Sequence, residues 1–187
     1  MLIERRVFLQ LLTATPLAFC GCAGAIEYFP ESEFEDSFSK SSFTHQLSLM
    51  KEPSLYHAQS IYAVRVTYFD GPVRNYLLRI EKSASGEITA VFKNFSFSSA
   101  ELNPNPTSVI SRTLTDEQFS RLLDEVRRQN FFALGPPNKF ATSGGVYLTE
   151  VFDGKRYHLT DRTYTGDAAW QIARVAGEIA QVPDFQN

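Results

Sequence analysis

Three alternating runs in close succession constrain this fold more than any other feature. In "IYAVRVTYF", which begins at Ile61, Tyr62, Val64, Val66 and Tyr68 project to one side and Arg65 and Thr67 to the other. Asp70-Gly71-Pro72 interrupts the run, and "VRNYLLRIE" follows with Tyr76, Leu78 and Ile80 in phase. Ser83 to Gly86 forms a second break, after which "EITAVFKNF" presents Ile88, Ala90 and Phe92 alternately. Side chains alternate across a strand with period two, so short runs joined by turn residues predict an antiparallel meander with one apolar face. Asn103-Pro104-Asn105-Pro106 is then expected to forbid regular structure.

The period changes at "LTDEQFSRLLDEVRRQNFF". Thr115 and Gln118 have capping-box spacing, Leu114 and Phe119 stand where a hydrophobic staple needs them, and Phe119, Leu122, Leu123 and Val126 make one apolar stripe. Glu117 with Arg121 and Asp124 with Arg128 are spaced for pairs on the solvated side. Beyond a loop, "VYLTEVF" and "KRYHLT" flank Asp153-Gly154, a two-residue hairpin signal in which both turn residues take positive φ. That turn predicts Glu150 opposite Tyr157, Thr149 opposite His158 and Leu148 opposite Leu159. A last helix is expected from about Asp167 to Val182, with Ile172, Ala176 and Ile179 as its stripe. The prediction is an α+β fold: one antiparallel sheet of about five strands, order βββ-α-ββ-α, with two helices packed on one face.

The other end of the chain reads differently. Arg5 and Arg6 lead into an apolar stretch from Val7 to Phe19 that closes at Cys20 and Cys22, the two cysteines of the chain. Thirteen residues are too few to cross a bilayer, which takes about 20, and Pro16 would break a core helix. Positive charge, apolar centre and small residues in that order make a signal peptide. Arg5-Arg6-Val7-Phe8-Leu9-Gln10 resembles the twin-arginine export motif, with Arg5, Arg6, Phe8 and Leu9 in the matching positions and Glu4 where Ser or Thr is usual. The general secretory route is the alternative.

Phe19-Cys20-Gly21-Cys22 resembles a bacterial lipobox. Gly21 supplies the small residue before Cys22, whereas bulky Phe19 stands before Cys20. The resemblance implies a lipoprotein lipidated at Cys22, with Cys20 as the alternative, whose partner is the lipid bilayer. Ala23 in place of an inner-membrane-retaining Asp implies, for a Gram-negative type of envelope, the outer membrane, facing the periplasm. The remainder resembles small bacterial envelope lipoproteins and no characterised family. The expected domains are residues 1–22 as signal peptide, 23–58 as an acidic, Ser- and aromatic-rich tether, and 59–187 as the globular unit.

Charge narrows the partners. The chain carries 18 basic and 21 acidic residues, and Glu27, Glu31, Glu33, Glu35 and Asp36 all precede Lys40. The body is therefore nearly neutral, which argues against nucleic acid. No His/Cys cluster has metal-ligand spacing, no nucleophile-elbow motif occurs, and Ser143-Gly144-Gly145 precedes a strand rather than a helix. Neither a metal nor a cofactor is expected. The leading expectation is a non-enzymatic domain that binds or scaffolds another envelope component. The alternatives are a periplasmic hydrolase using Glu150, His158 and Asp161, and an inhibitor or immunity-type binding protein. Glu150 carries the hydrolase reading, because it shares a face with Leu148 and Phe152 that is assigned to the core. A buried carboxylate there needs a partner such as Tyr157 or an arginine, or a functional reason to be buried.

Overall fold

A computed structural model describes residues 27–35, 37–70, 74–95, 105–135, 145–162 and 167–182. Six strands form one antiparallel sheet: β1 (Tyr62–Asp70), β2 (Arg74–Lys82), β3 (Ile88–Phe95), β4 (Pro106–Thr113), β5 (Val146–Phe152) and β6 (Tyr157–Arg162). Their spatial order is β4-β3-β2-β1-β5-β6. The meander is present as read, with Val64 opposite Ile80 and Ile80 opposite Ala90. The chain then returns beside β1, which places β1 inside the sheet between β2 and β5.

Among the described residues three helices accompany it: α1 (Ser37–Leu49), α2 (Asp116–Arg128) and α3 (Ala168–Ala180). The element order is therefore α-ββββ-α-ββ-α, with one more strand and one more helix than the sequence predicts. The added strand is β4, and Pro106 does not prevent it. Proline is tolerated as the first residue of an edge strand, where its missing N–H interrupts no ladder. The added helix lies in the segment expected to be a tether.

Helices α2 and α3 pack together over one face, as expected. Their stripes, including Phe119, Leu122, Val126, Ile172, Ala176 and Ile179, share a core with Val64, Val66, Leu78, Ile80, Ala90 and Phe92. The capping box at Thr115 is complete: Thr115 Oγ1 accepts from Gln118 N–H at 3.2 Å, and Gln118 Oε1 accepts from Thr115 N–H at 2.9 Å. Thr115→Ala is therefore expected to lower stability by about 1 kcal/mol, read as a shift in the urea midpoint, whereas exposed Ser120→Ala leaves it within about 0.5 kcal/mol. The surface pairing differs from the i, i+4 pairs expected. Arg121 reaches across to Glu178 on α3, Arg127 takes Asp124, and Arg128 takes Glu125. Cross-helix and i, i+3 partners lie equally within reach of a long arginine.

The second face is also covered. A 3-10 turn (Glu31–Glu33), α1 and the segment that follows it lie against it. Tyr28, Phe29, Phe43, Leu47 and Met50 form a second core with Leu77, Phe95, Val146, Leu148 and Leu159. From Tyr28 onward the chain thus packs on the sheet where a tether was expected.

The β5–β6 hairpin also departs from the expected register. Phe152 pairs with Tyr157, Val151 with His158 and Glu150 with Leu159. The loop therefore has four residues, Asp153 to Arg156, closed by a bond from Asp153 N–H to Arg156 O at 3.0 Å. Asp153 Oδ1 accepts from the N–H groups of Lys155 and Arg156 at 3.1 and 2.7 Å, so its side chain organises the turn. Only Gly154 takes positive φ there, at 84°. A Cβ on Gly154 would stand 2.8 Å from the carbonyl oxygen of Ile61, so this position needs glycine for space as well as for φ.

Candidate functional site

The most concentrated chemistry lies on the second face of the sheet, beneath the N-terminal cover. One row across the strands reads Leu159, Glu150, Arg65, Arg79 and Val91. Arg65 and Arg79 are directly opposed on neighbouring strands, an arrangement of like charges that destabilises a sheet unless each is neutralised. Glu150 neutralises the first. Arg65 Nε donates to Glu150 Oε2 at 2.6 Å and Nη2 to Oε1 at 2.7 Å, with both side chains fully buried. Tyr157 Oη donates to Glu150 Oε1 at 2.8 Å. Glu52 neutralises the second charge, with Arg79 Nη1 3.3 Å from its Oε2 and Lys93 bonded to its Oε1. Arg65 keeps one further donor, Nη1, which reaches Pro53 O at 2.6 Å.

Glu52 and Pro53 belong to the cover, so the cover is keyed to the sheet by charge as well as by apolar packing. Ser54 adds to this by donating to Tyr28 O at 2.9 Å. At the sheet edge, Glu33 Oε2 accepts from Leu159 N–H at 3.2 Å and lies 2.8 Å from His158 Nδ1. The open side of β6 is thereby partly occupied by the protein's own chain.

The residues singled out from the sequence are not gathered. Strand alternation puts Glu150 and Asp161 on the face of the cover and His158 on the face of the helices, where its ring meets Phe131 edge-on at 5.4 Å. Glu150 does not face the core under α2 and α3 as expected; Val151 does. Its partners are those that a structural carboxylate needs, Tyr157 and an arginine, and it lies within the sheet rather than at an edge. Asp161 is buried opposite Leu148. Cys20, Cys22, Arg5, Arg6, Phe8 and Leu9 lie outside the described residues. The sequence reading missed Arg65, Arg79 and Glu52. The available signal was Arg65 and Glu150, each the one charge in its run, "IYAVRVTYF" and "VYLTEVF".

Electrostatics follow from this burial. Burial alone would lower the Arg65 value, but the Glu150 carboxylate beside it raises it, so the guanidinium stays charged. Burial, with the charge of Glu150 adding to it, pushes the Tyr157 phenol well above its ordinary range. Tyr62, on the helix face, is pushed up to about 12 by burial and then by Asp153. Both phenols are more easily ionised in the unfolded chain. Their contribution to stability is complete below pH 10 and is lost as pH rises from the unfolded value towards the folded one. Urea midpoints are therefore expected to fall steeply between pH 10 and 12, and less steeply in Tyr62→Phe. Ultraviolet titration of the folded protein in which all tyrosines ionise near pH 10 would contradict this.

Two open grooves flank these features. The larger, about 670 Å³, lies between residues 53–60 and strands β2 and β3, with His57, Arg79, Glu81, Glu87 and Thr89 in its lining. The second, about 420 Å³, lies between the end of α2 and the β5–β6 loop. It is walled by Tyr62, Phe131 and Phe132, with Arg127 and Arg156 among its polar groups. The Arg156 guanidinium rests 4.1 Å from the Phe132 ring centre. Among the described residues no cluster of three or more His, Cys, Asp or Glu could hold a metal, and no helix is long and apolar enough to cross a membrane. Compared with known protein families and with curated protein sequences, the chain finds no match.

Proposed function

We propose that this chain is an envelope lipoprotein, lipid-anchored at Cys22, whose domain binds or scaffolds another envelope component rather than turning over a substrate. The observation that carries binding over hydrolysis is the state of Glu150. Both of its oxygens are engaged, by Arg65 and Tyr157, and His158 lies across the sheet from it. A general acid or base must reach the proton it moves, and this carboxylate is walled in. The groove of about 670 Å³ beside Arg79, Glu81 and Glu87 is the surface suited to a partner, and its charged lining fits a polar segment rather than a lipid chain.

The anchor and the non-catalytic part are tested separately. Intact mass of protein extracted from membranes should find lipid on Cys22, and Cys22→Ser should retain the signal or leave the membrane fraction while Cys20→Ser stays anchored. Detergent, not salt, should release the wild type, since each buried CH₂ of an acyl chain contributes about 0.8 kcal/mol. Lipid on Cys20, or on neither cysteine, defeats the anchor. Turnover of an ester, glycoside or peptide by the purified chain, abolished by Glu150→Gln, defeats the non-catalytic part.

A further inference from the structure

The two edges of the sheet are treated differently. At β6 the chain supplies its own cover through Glu33. At the other edge β4 has every one of its residues, Pro106 to Thr113, exposed. Val109 and Ile110 are 55% and 39% exposed, adjacent, and part of a run made almost wholly of Thr, Ser, Val and Ile. An uncovered edge of this composition is a template for another strand.

We infer that β4 is a self-pairing edge, which joins a second copy of this chain antiparallel across a two-fold axis at Ile110. The ladder defines which backbone groups are free. Leu114 N–H bonds to Ile88 O, and the β3–β4 register continues through Thr113 opposite Thr89, Ser111 opposite Val91 and Val109 opposite Lys93. Hydrogen-bonded and non-bonded positions alternate in an antiparallel pair. Val109, Ser111 and Thr113 therefore turn their N–H and C=O groups away from β3, whereas the ladder shifts at Thr107, between the Asn94–Ser108 and Phe95–Pro106 pairs. Pairing about Ile110 sets Val109 against Ser111 of the copy on both sides of the axis, so these outward-facing residues meet one another. This register uses the regular part of the strand, Ser108 to Arg112, and leaves the irregularity at Pro106 and Thr107 outside it.

Charge and shape select the same partner. Arg112, the single charge on the strand, bonds to Gln181 of its own α3 end and would stand opposite Ser108 rather than its own copy. The two Ile110 side chains meet at the axis on the helix side, where each lies beside Ala180 and Val182. The two six-stranded sheets become one continuous sheet. A single edge contact is small for a stable interface, so association should depend on concentration.

The test uses the full-length chain in mild detergent with Cys20→Ser and Cys22→Ser, so that no other thiol is present. Sedimentation equilibrium should show monomer and dimer. Ile110→Lys, which sets two ammonium groups at the axis, should weaken dimerisation at least tenfold with an unchanged circular dichroism spectrum. Ile110→Cys should form a disulfide dimer on mild oxidation, because opposed non-bonded residues have Cα atoms about 4.5 Å apart, within disulfide range. Ser108→Cys should not, since its copy lies four residues along. A chain that stays monomeric at every concentration overturns the inference, including the case in which a foreign strand takes the edge. Equal cross-linking of Ser108→Cys and Ile110→Cys overturns the register.

Discussion

Glu150→Ala lowers the stability of the domain by about 3–5 kcal/mol, the expected cost of removing one partner of a fully buried ion pair. For a chain of this size that corresponds to a fall in Tm of roughly 10 °C. The loss comes less from the attraction removed than from what stays behind. Arg65 would keep its charge with no exposure to water and with Arg79 opposite it on the next strand. Tyr157 would lose the acceptor for its hydroxyl. Replacing the group as a unit, with Arg65→Met, Glu150→Leu and Tyr157→Phe together, should recover most of the loss, because well-packed apolar residues often substitute for a buried pair at little cost. The carbonyl of Pro53 would then lack the donor that Arg65 gives it. Thermal unfolding of the single and triple variants decides it. A single variant as stable as the wild type would mean that the pair is solvated.

The N-terminal cover gives the second large effect. Phe43 on α1 is 1% exposed and packs in the second core with Leu77 and Leu148. Its ring centre is 5.6 Å from that of Phe69. Phe43→Ala should cost about 3–5 kcal/mol, as for a phenylalanine in any well-packed core. Phe38, on the same helix but 74% exposed, should tolerate alanine within about 0.5 kcal/mol. Denaturant titration of the two variants separates a cover from a spacer. Equal, small effects would mean that α1 is not part of the cooperative unit.

The parts of the fold legible in the sequence were those specified locally. The meander could be read because alternation and turns lie within a few residues of each other, and α2 because its cap and stripe agree. Helix α1 could not, because "SFSKSSFTHQLSL" is rich in serine, a weak helix former. It buries only Ser39, Phe43 and Leu47, spaced i, i+4, i+8, and tertiary packing rather than propensity holds it. The face of Glu150 was misread because β5 is buried on both sides, Leu148 under the cover and Val151 under the helices. A strand buried on both faces loses the alternation that tells inside from outside. Its pairing with Arg65 spans 85 residues and depends on β5 docking beside β1, which no short-range pattern encodes. The four-residue loop at Asp153 shifted the hairpin register by two, which changed each residue's partner but not its face.

The place where the cover begins has a mechanical consequence. Tyr28 is already 6% exposed and packed in the second core. With lipid on Cys22, six residue steps separate the acyl chains from the folded body, and fully extended they span roughly 20 Å. A domain of about 150 residues has a radius of gyration of about 15 Å. The leash at full stretch is thus shorter than the roughly 30 Å that twice this radius gives for the width of the body it holds. Such a domain cannot sweep the space beyond the membrane in search of partners; it can only pivot close to the lipid surface. Copies in one leaflet would share a thin layer, where lateral diffusion brings their exposed edges together more often than the same number of molecules free in solution.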